Sequence, residues 1–216
     1  MAETAASPTA PQNSADKNLA ARVSPAGSLK DAFTAGSLAG TVEIRELPYL
    51  TMAGLRADVR SDTAQRLAAV TGGLPAGSGS VVVHGDTAVL WLGPAEFLVV
   101  APTEAHESLG GDLLPALREA LGGDAGQVVD LSANRTTFEL TGPRARAVLE
   151  KGCSLDLHPR VFKAGTAFST EIANIPAILW KTGEETFRIF PRASFAEFLG
   201  RWLLDAMREY ASPEVP

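Results

Sequence analysis

The chain has 216 residues, enough to bury one large core or two small ones, and its 45% hydrophobic and 20% charged residues are ordinary for a globular protein. A net charge of −6, with no Lys/Arg cluster beyond a dipeptide, argues against nucleic acid as a partner. The single cysteine, Cys153, excludes an internal disulfide, and no apolar run reaches the roughly 18 residues of a membrane span, so a soluble, cytoplasmic protein with no membrane partner is expected.

Residues 1–27 are rich in Ala, Ser, Thr and Pro, without the basic and apolar regions of a signal peptide, and read as a flexible arm. Strands are expected over 41–46 and 49–55. Asp62 is the expected cap of a helix over 63–70, closed by Gly72 and Gly73. The stretch from Gly72 to Gly79 is interrupted by Pro75 and has no helix after it, so it is a connection and not a dinucleotide loop. His84, Gly85 and Asp86 form a hairpin turn signal. Strands over 87–92 and 96–101 follow, split by Gly93-Pro94, and then a helix.

The second half repeats the pattern. Strands are expected over 127–131 and 136–140, with a helix from Pro143 to about Lys151 that Gly152 ends. Residues 177–180 and 186–190 form a second hairpin around Thr182 to Glu185. A last amphipathic helix carries Leu199, Trp202, Leu203, Ala206 and Met207 on one face, with Ser194 and Glu197 as a capping box. Ala88-Val89-Leu90-Trp91 matches Ala177-Ile178-Leu179-Trp180 at an offset of 89. The match resumes at an offset of 90, from Phe97 against Phe187 to Leu114 against Leu204. This predicts a duplicated β-β-α-β-β-α unit, Trp91 equivalent to Trp180, and an α+β fold in which two halves share one core. The divisions are an arm over 1–27, repeats over 28–122 and 123–210, and a tail over 211–216.

The informative run is Val129 to Ala145. Asp130 and Ser132 are turn and cap formers that bond nearby backbone amides. Arg135, with Asp130, reads either as part of a structural corner or as a polar anchor for a partner or an anionic ligand. His158, in the loop after Asp156, suits turn or interface duty. The histidines His84, His106 and His158 are too far apart for metal-ligand spacing, there is no P-loop lysine, and Cys153 has no base beside it in sequence. No catalytic, cofactor-binding or metal residue is expected on this chain.

Asp130-Leu131-Ser132, Gly142-Pro143, Asp156-Leu157-His158-Pro159, Ile178-Leu179-Trp180 and Arg192-Ala193-Ser194-Phe195 ahead of Trp202-Leu203 resemble, in order and spacing, the γ subunit family of heterotetrameric sarcosine oxidase. The resemblance covers residues 28–210 and extends to the folate-binding aminomethyltransferase fold of the glycine-cleavage T-protein. It implies a structural subunit in an αβγδ complex that oxidatively demethylates sarcosine to glycine, forms hydrogen peroxide and passes the one-carbon unit to tetrahydrofolate. FAD, covalent FMN, NAD and tetrahydrofolate would then sit on the other subunits. A free-standing folate-binding aminomethyltransferase-like protein is the alternative, for which Asp130 is the nearest candidate to hold a pterin-like ring. A regulatory small-molecule-binding module is a third reading.

Overall fold

The strand Glu96–Ala101 shows why this sequence builds sheets covered on both faces. Phe97, Val99 and Ala101 point one way and Leu98 and Val100 the other, and all five are buried. A strand so read must lie between two apolar layers.

The computed structural model describes residues 22–211. The first half runs α1 (Lys30–Gly36), β1 (Glu43–Glu46), β2 (Thr51–Arg56), α2 (Asp62–Thr71), β3 (Val81–His84), β4 (Thr87–Gly93), β5 (Glu96–Ala101) and α3 (Leu113–Leu121). The second runs β6 (Gln127–Asp130), β7 (Phe138–Thr141), α4 (Ala145–Glu150), β8 (Thr166–Ile172), β9 (Ile175–Gly183), β10 (Thr186–Pro191) and α5 (Ala196–Ala211). The architecture is α+β, with two five-stranded sheets in the orders β3-β4-β5-β2-β6 and β8-β9-β10-β7-β1, every resolved pairing being antiparallel. The orders correspond strand for strand, except that the first strand of each half completes the other half's sheet.

The layers follow from the alternation. One outer core joins α2 and α3 to their sheet through Leu67, Leu114 and Leu117 against Leu55, Val89, Phe97 and Val99. The other packs Phe33, Val148, Leu149, Leu199 and Leu203 against Phe138, Leu140, Leu179, Phe187 and Ile189. Phe33 meets Phe138 edge-on at a centroid distance of 5.6 Å, a geometry that contributes about 0.5–1.5 kcal/mol beyond area burial. Between the sheets, Met52, Ala88, Leu90, Leu98 and Val100 meet Ala167, Ile178, Trp180 and Phe190.

The β-β-α-β-β-α unit expected from sequence is corrected by a third strand, β3 after α2 and β8 after α4. β8 is joined to β9 by Ala173 and Asn174, both at positive φ (53° and 61°), the conformation a two-residue hairpin needs. The expected equivalence of Trp91 and Trp180 also fails. Each hairpin has an irregularity, and pairing Gly93 with Glu96 and Gly183 with Thr186 sets Trp91 opposite Phe97 but Lys181 opposite Phe187. The ladder offset is therefore 90, and a one-residue slip reverses the face. Trp91 packs toward the helices of its sheet, and Trp180 packs between the sheets.

Helix starts are corrected too. Ser61, not Asp62, caps α2, its hydroxyl accepting from the Ala64 amide at 3.1 Å. Ser194 makes no capping bond; it lies in a 3-10 turn, Ala193–Phe195, that leads into α5. α4 begins at Ala145, two residues after Pro143, because Gly142 turns the chain at φ +110° with Thr41 packed against it: an added Cβ would lie 2.5 Å from the Thr41 carbonyl oxygen.

Of the expected arm, residues 1–21 lie outside the described residues, while 22–27 are fastened to the body. Tyr49 Oη donates to the Arg22 carbonyl at 2.7 Å, and Glu46 accepts from Ser24 Oγ at 2.6 Å and the Ala26 amide at 3.1 Å. Ala26 is part of the core. Residues 212–216 of the expected tail also lie outside. No helix among the described residues is long and apolar enough to cross a membrane.

Candidate functional site

β2 pairs on one side with β5 and on the other with β6, setting Thr51 opposite Ala101 and Ala53 opposite Asp130. The segments that leave those neighbouring strands, 102–109 and 131–135, therefore meet over one end of the sheet. There they enclose a cavity of about 430 Å3 lined by Arg22, Val23, Pro25, Tyr49, His106, Asp130, Ser132, Ala133 and Arg135. Asp130, Ser132 and Arg135 are thus brought together.

Asp130 and Ser132 build the wall. The Ser132 amide donates to Asp130 Oδ1 at 2.9 Å, and Ser132 Oγ accepts from the Met52 amide at 3.0 Å, extending the β2–β6 ladder by a side chain. Asp130 Oδ2 lies 3.0 Å from His106 Nε2. His106 Nδ1 accepts from the Ser108 amide at 3.1 Å and lies 2.8 Å from Ser108 Oγ, to which Arg22 Nη2 donates at 2.8 Å. With Nδ1 accepting, a neutral His106 carries its proton on Nε2, and that N–H donates a hydrogen bond to Asp130 Oδ2. Burial pushes the Asp130 carboxyl up, but the Ser132 hydroxyl and amide, together with His106, outweigh it and hold the group below the ordinary aspartate value. Each carboxylate oxygen has an internal partner, and the side chain remains 36% exposed.

Arg135 sits on the corner between β6 and β7. It makes no ion pair with Asp130; Nη1 donates to the Phe190 carbonyl at 2.8 Å, tying the end of β10 to the turn before β7. Burial first, and the neighbouring Arg192 second, lower its pKa. His158 does not line this cavity. It sits exposed between α4 and β8, its amide donating to Asp156 Oδ1 at 2.9 Å and its Nδ1 accepting from the Arg160 amide at 3.2 Å, which is turn chemistry. Cys153 is half-buried just after α4, its sulfur 3.9 Å from Thr170 Oγ1.

Sequence reasoning gave Arg22 and Tyr49 no role and weighed His106 only as a metal ligand. Nothing in the sequence signals them: His106 is 24 residues from Asp130, and only the common pairing with β2 brings them together. It also passed over Glu139, a 6% exposed residue on β7 set between Arg45 of β1 and Arg188 of β10. Arg45 Nε and Nη2 donate to Oε1 at 2.9 and 2.5 Å and Arg188 Nε to Oε2 at 3.1 Å, while the Arg188 guanidinium lies 5.6 Å over the Trp180 ring. Among the described residues no three or more His, Cys, Asp or Glu side chains are grouped to hold a metal.

Two antiparallel sheets built from the same strand order, face to face and backed by helices, place the chain in the aminomethyltransferase fold. The crystal structure of the glycine cleavage system aminomethyltransferase T from Bartonella henselae matches with a TM-score of 0.59 over 83% of this chain and 49% of that one; at 16% identity the likeness is one of fold. The chain belongs to the sarcosine oxidase, gamma subunit family, whose model matches residues 57–209. It is 48% identical to the sarcosine oxidase subunit gamma of Corynebacterium sp. (strain P-1) over 94% of this chain and 98% of that one. To that of Arthrobacter sp. it is 49% identical over 90% and 94%. A chain of the heterotetrameric sarcosine oxidase from Corynebacterium sp. U-96, in complex with pyrrole 2-carboxylate, matches with a TM-score of 0.84 at 49% identity, covering 90% of this chain and 99% of that one.

Proposed function

We propose that this chain is the γ subunit of a heterotetrameric sarcosine oxidase, serving assembly and carrying no reacting group itself. Similarity along nearly the whole of both chains carries this reading: relatives of the same length bear the subunit name, and one of them is part of a heterotetramer. The complex would oxidise sarcosine to glycine, reduce oxygen to hydrogen peroxide and release the methyl carbon as 5,10-methylenetetrahydrofolate or formaldehyde. FAD, FMN, NAD and tetrahydrofolate belong in this reading to other subunits, the partners being α, β and δ. On this chain Asp130, Ser132 and Arg135 act as structural and interface anchors, and His158 holds a separate exposed turn.

The test is co-expression with the genes for the other subunits. The chain should co-purify with three partners, and that complex should consume oxygen with sarcosine. The chain produced alone should be colourless and make no peroxide. A yellow, peroxide-forming preparation of the isolated chain would overturn the assembly role, and tight tetrahydrofolate binding by it would favour a free-standing folate protein.

A further inference from the structure

The main chains of Arg135 and Arg192 form an isolated antiparallel bridge, and the Ala193 amide donates to the Asn134 carbonyl at 2.8 Å beside it. Two guanidinium groups are thus held on neighbouring stretches of chain, close enough that Arg192 disfavours the charge on Arg135. Neither forms an ion pair with a carboxylate among the described residues. Arg135 spends one N–H group on Phe190, and its side chain borders the cavity described above. Asp130, the acid of that cavity, is already engaged by Ser132 and His106.

A half-buried cation beside a like charge, with no counter-ion, is an unfavourable arrangement that an anion from outside would relieve. In a chain of net charge −6 it is also out of character with the whole. Apolar side chains stand exposed nearby, and the Phe195 amide donates to the Arg192 carbonyl at 2.9 Å. Phe195 and Phe198, one helical turn apart just after Arg192, are 37% and 55% exposed, and Val23 on the cavity rim is 88% exposed. Exposed aromatic and arginine side chains in one patch are the composition of an interface centre.

We propose that this face docks an acidic segment of another subunit, with an Asp or Glu carboxylate seated between Arg135 and Arg192 and an apolar side chain beside it covering Phe195 and Phe198. A bidentate fork suits a carboxylate, and a pair of forks suits one that arrives from a partner. The inference rests on the subunit reading above and adds to it the surface and the chemistry of the partner.

The test uses the full chain co-expressed with its partner subunits. Arg192→Glu and Phe198→Ser alter exposed side chains that make no hydrogen bond among the described residues. Each should lower recovery of the complex at about 0.3 M NaCl by roughly tenfold or more, while the melting temperature of the full chain itself moves by less than about 2 °C. Arg192→Lys should retain assembly and allow a carbodiimide to join the new amine to a carboxylate of another subunit, located by peptide mass spectrometry. Assembly unchanged in both disruptive variants, or a carbodiimide product only within this chain, would overturn the docking face. So would a rise in melting temperature of the isolated chain with millimolar acetate that Arg192→Glu abolishes while assembly is unaffected, since the site would then serve a free small carboxylate. Failure of the unaltered chain to assemble would instead sink the subunit reading.

Discussion

Replacing Glu139 by Gln keeps the side chain's shape and removes its charge from between two arginines. The Glu139 side chain is 8% exposed, that of Arg45 67% and that of Arg188 31%. Hydrogen bonds to charged groups contribute about 1.5–3 kcal/mol each, but the Arg45 bond is discounted to under about 1 kcal/mol because that guanidinium stands mostly in water. The expected loss is about 2–3 kcal/mol, or roughly 4–12 °C in melting temperature for a chain of this size. Arg45→Ala should cost under about 1 kcal/mol. Acid adds a sign test. Burial pushes the Glu139 carboxyl up, yet Arg45 and then Arg188 hold it below the ordinary glutamate value. A depressed folded-state pKa gives stability that is present above the unfolded value of about 4.3 and is lost as pH falls through the folded value. The difference between the parent chain and Glu139→Gln should therefore hold down to about pH 5 and shrink below about pH 4. Thermal unfolding across that range checks it. A shift under about 2 °C at neutral pH, or equal losses for Glu139→Gln and Arg45→Ala, would refute the claim that the buried carboxylate is the centre of the ladder.

Two other substitutions test the backbone and the core. Gly142→Ala puts a Cβ on the Thr41 carbonyl at a positive φ and should cost at least about 2 kcal/mol by urea unfolding, far more than Ala at an unstrained turn. Thr137→Val should be neutral or stabilise by up to about 1 kcal/mol in the same assay, because the buried Thr137 hydroxyl has no hydrogen-bond partner among the described residues and its removal relieves an orphaned donor.

Where residues announced their structure locally, the sequence was readable. The strand over 96–101 matches the observed one to the residue, and Gly85-Asp86 is the hairpin turn between β3 and β4. β8 went unread because its turn is Ala173-Asn174, and alanine at positive φ is a conformation only the surrounding pairing can impose. β3 went unread because its three valines show no alternation; it is an edge strand whose Val83 remains 60% exposed. The tryptophan register misled for a physical reason as well. Ala-Ile-Leu-Trp and Ala-Val-Leu-Trp look alike, but backbone pairing and not side-chain identity sets which face a residue takes. Asp130, Ser132 and Arg135 were legible as one locale since they are neighbours in sequence. The bond from Arg135 to Phe190, 55 residues on, and the pair of His106 with Asp130 are products of topology, to which no local pattern corresponds.

The exchange of β1 and β6 between the sheets bears on how the chain is made. Arg45 waits for Glu139, 94 residues downstream, before β1 has a neighbour. At a synthesis rate of about 5–20 residues per second, that strand goes unpaired for roughly 5–20 s. The first sheet likewise stays one strand short until Gln127–Asp130 emerges. Neither half can close during translation without borrowing from the other, so a release of the chain near residue 122 would yield an open-edged fragment prone to capture the missing strand from another molecule. The two sheets share a strand order, yet they are obliged to form together.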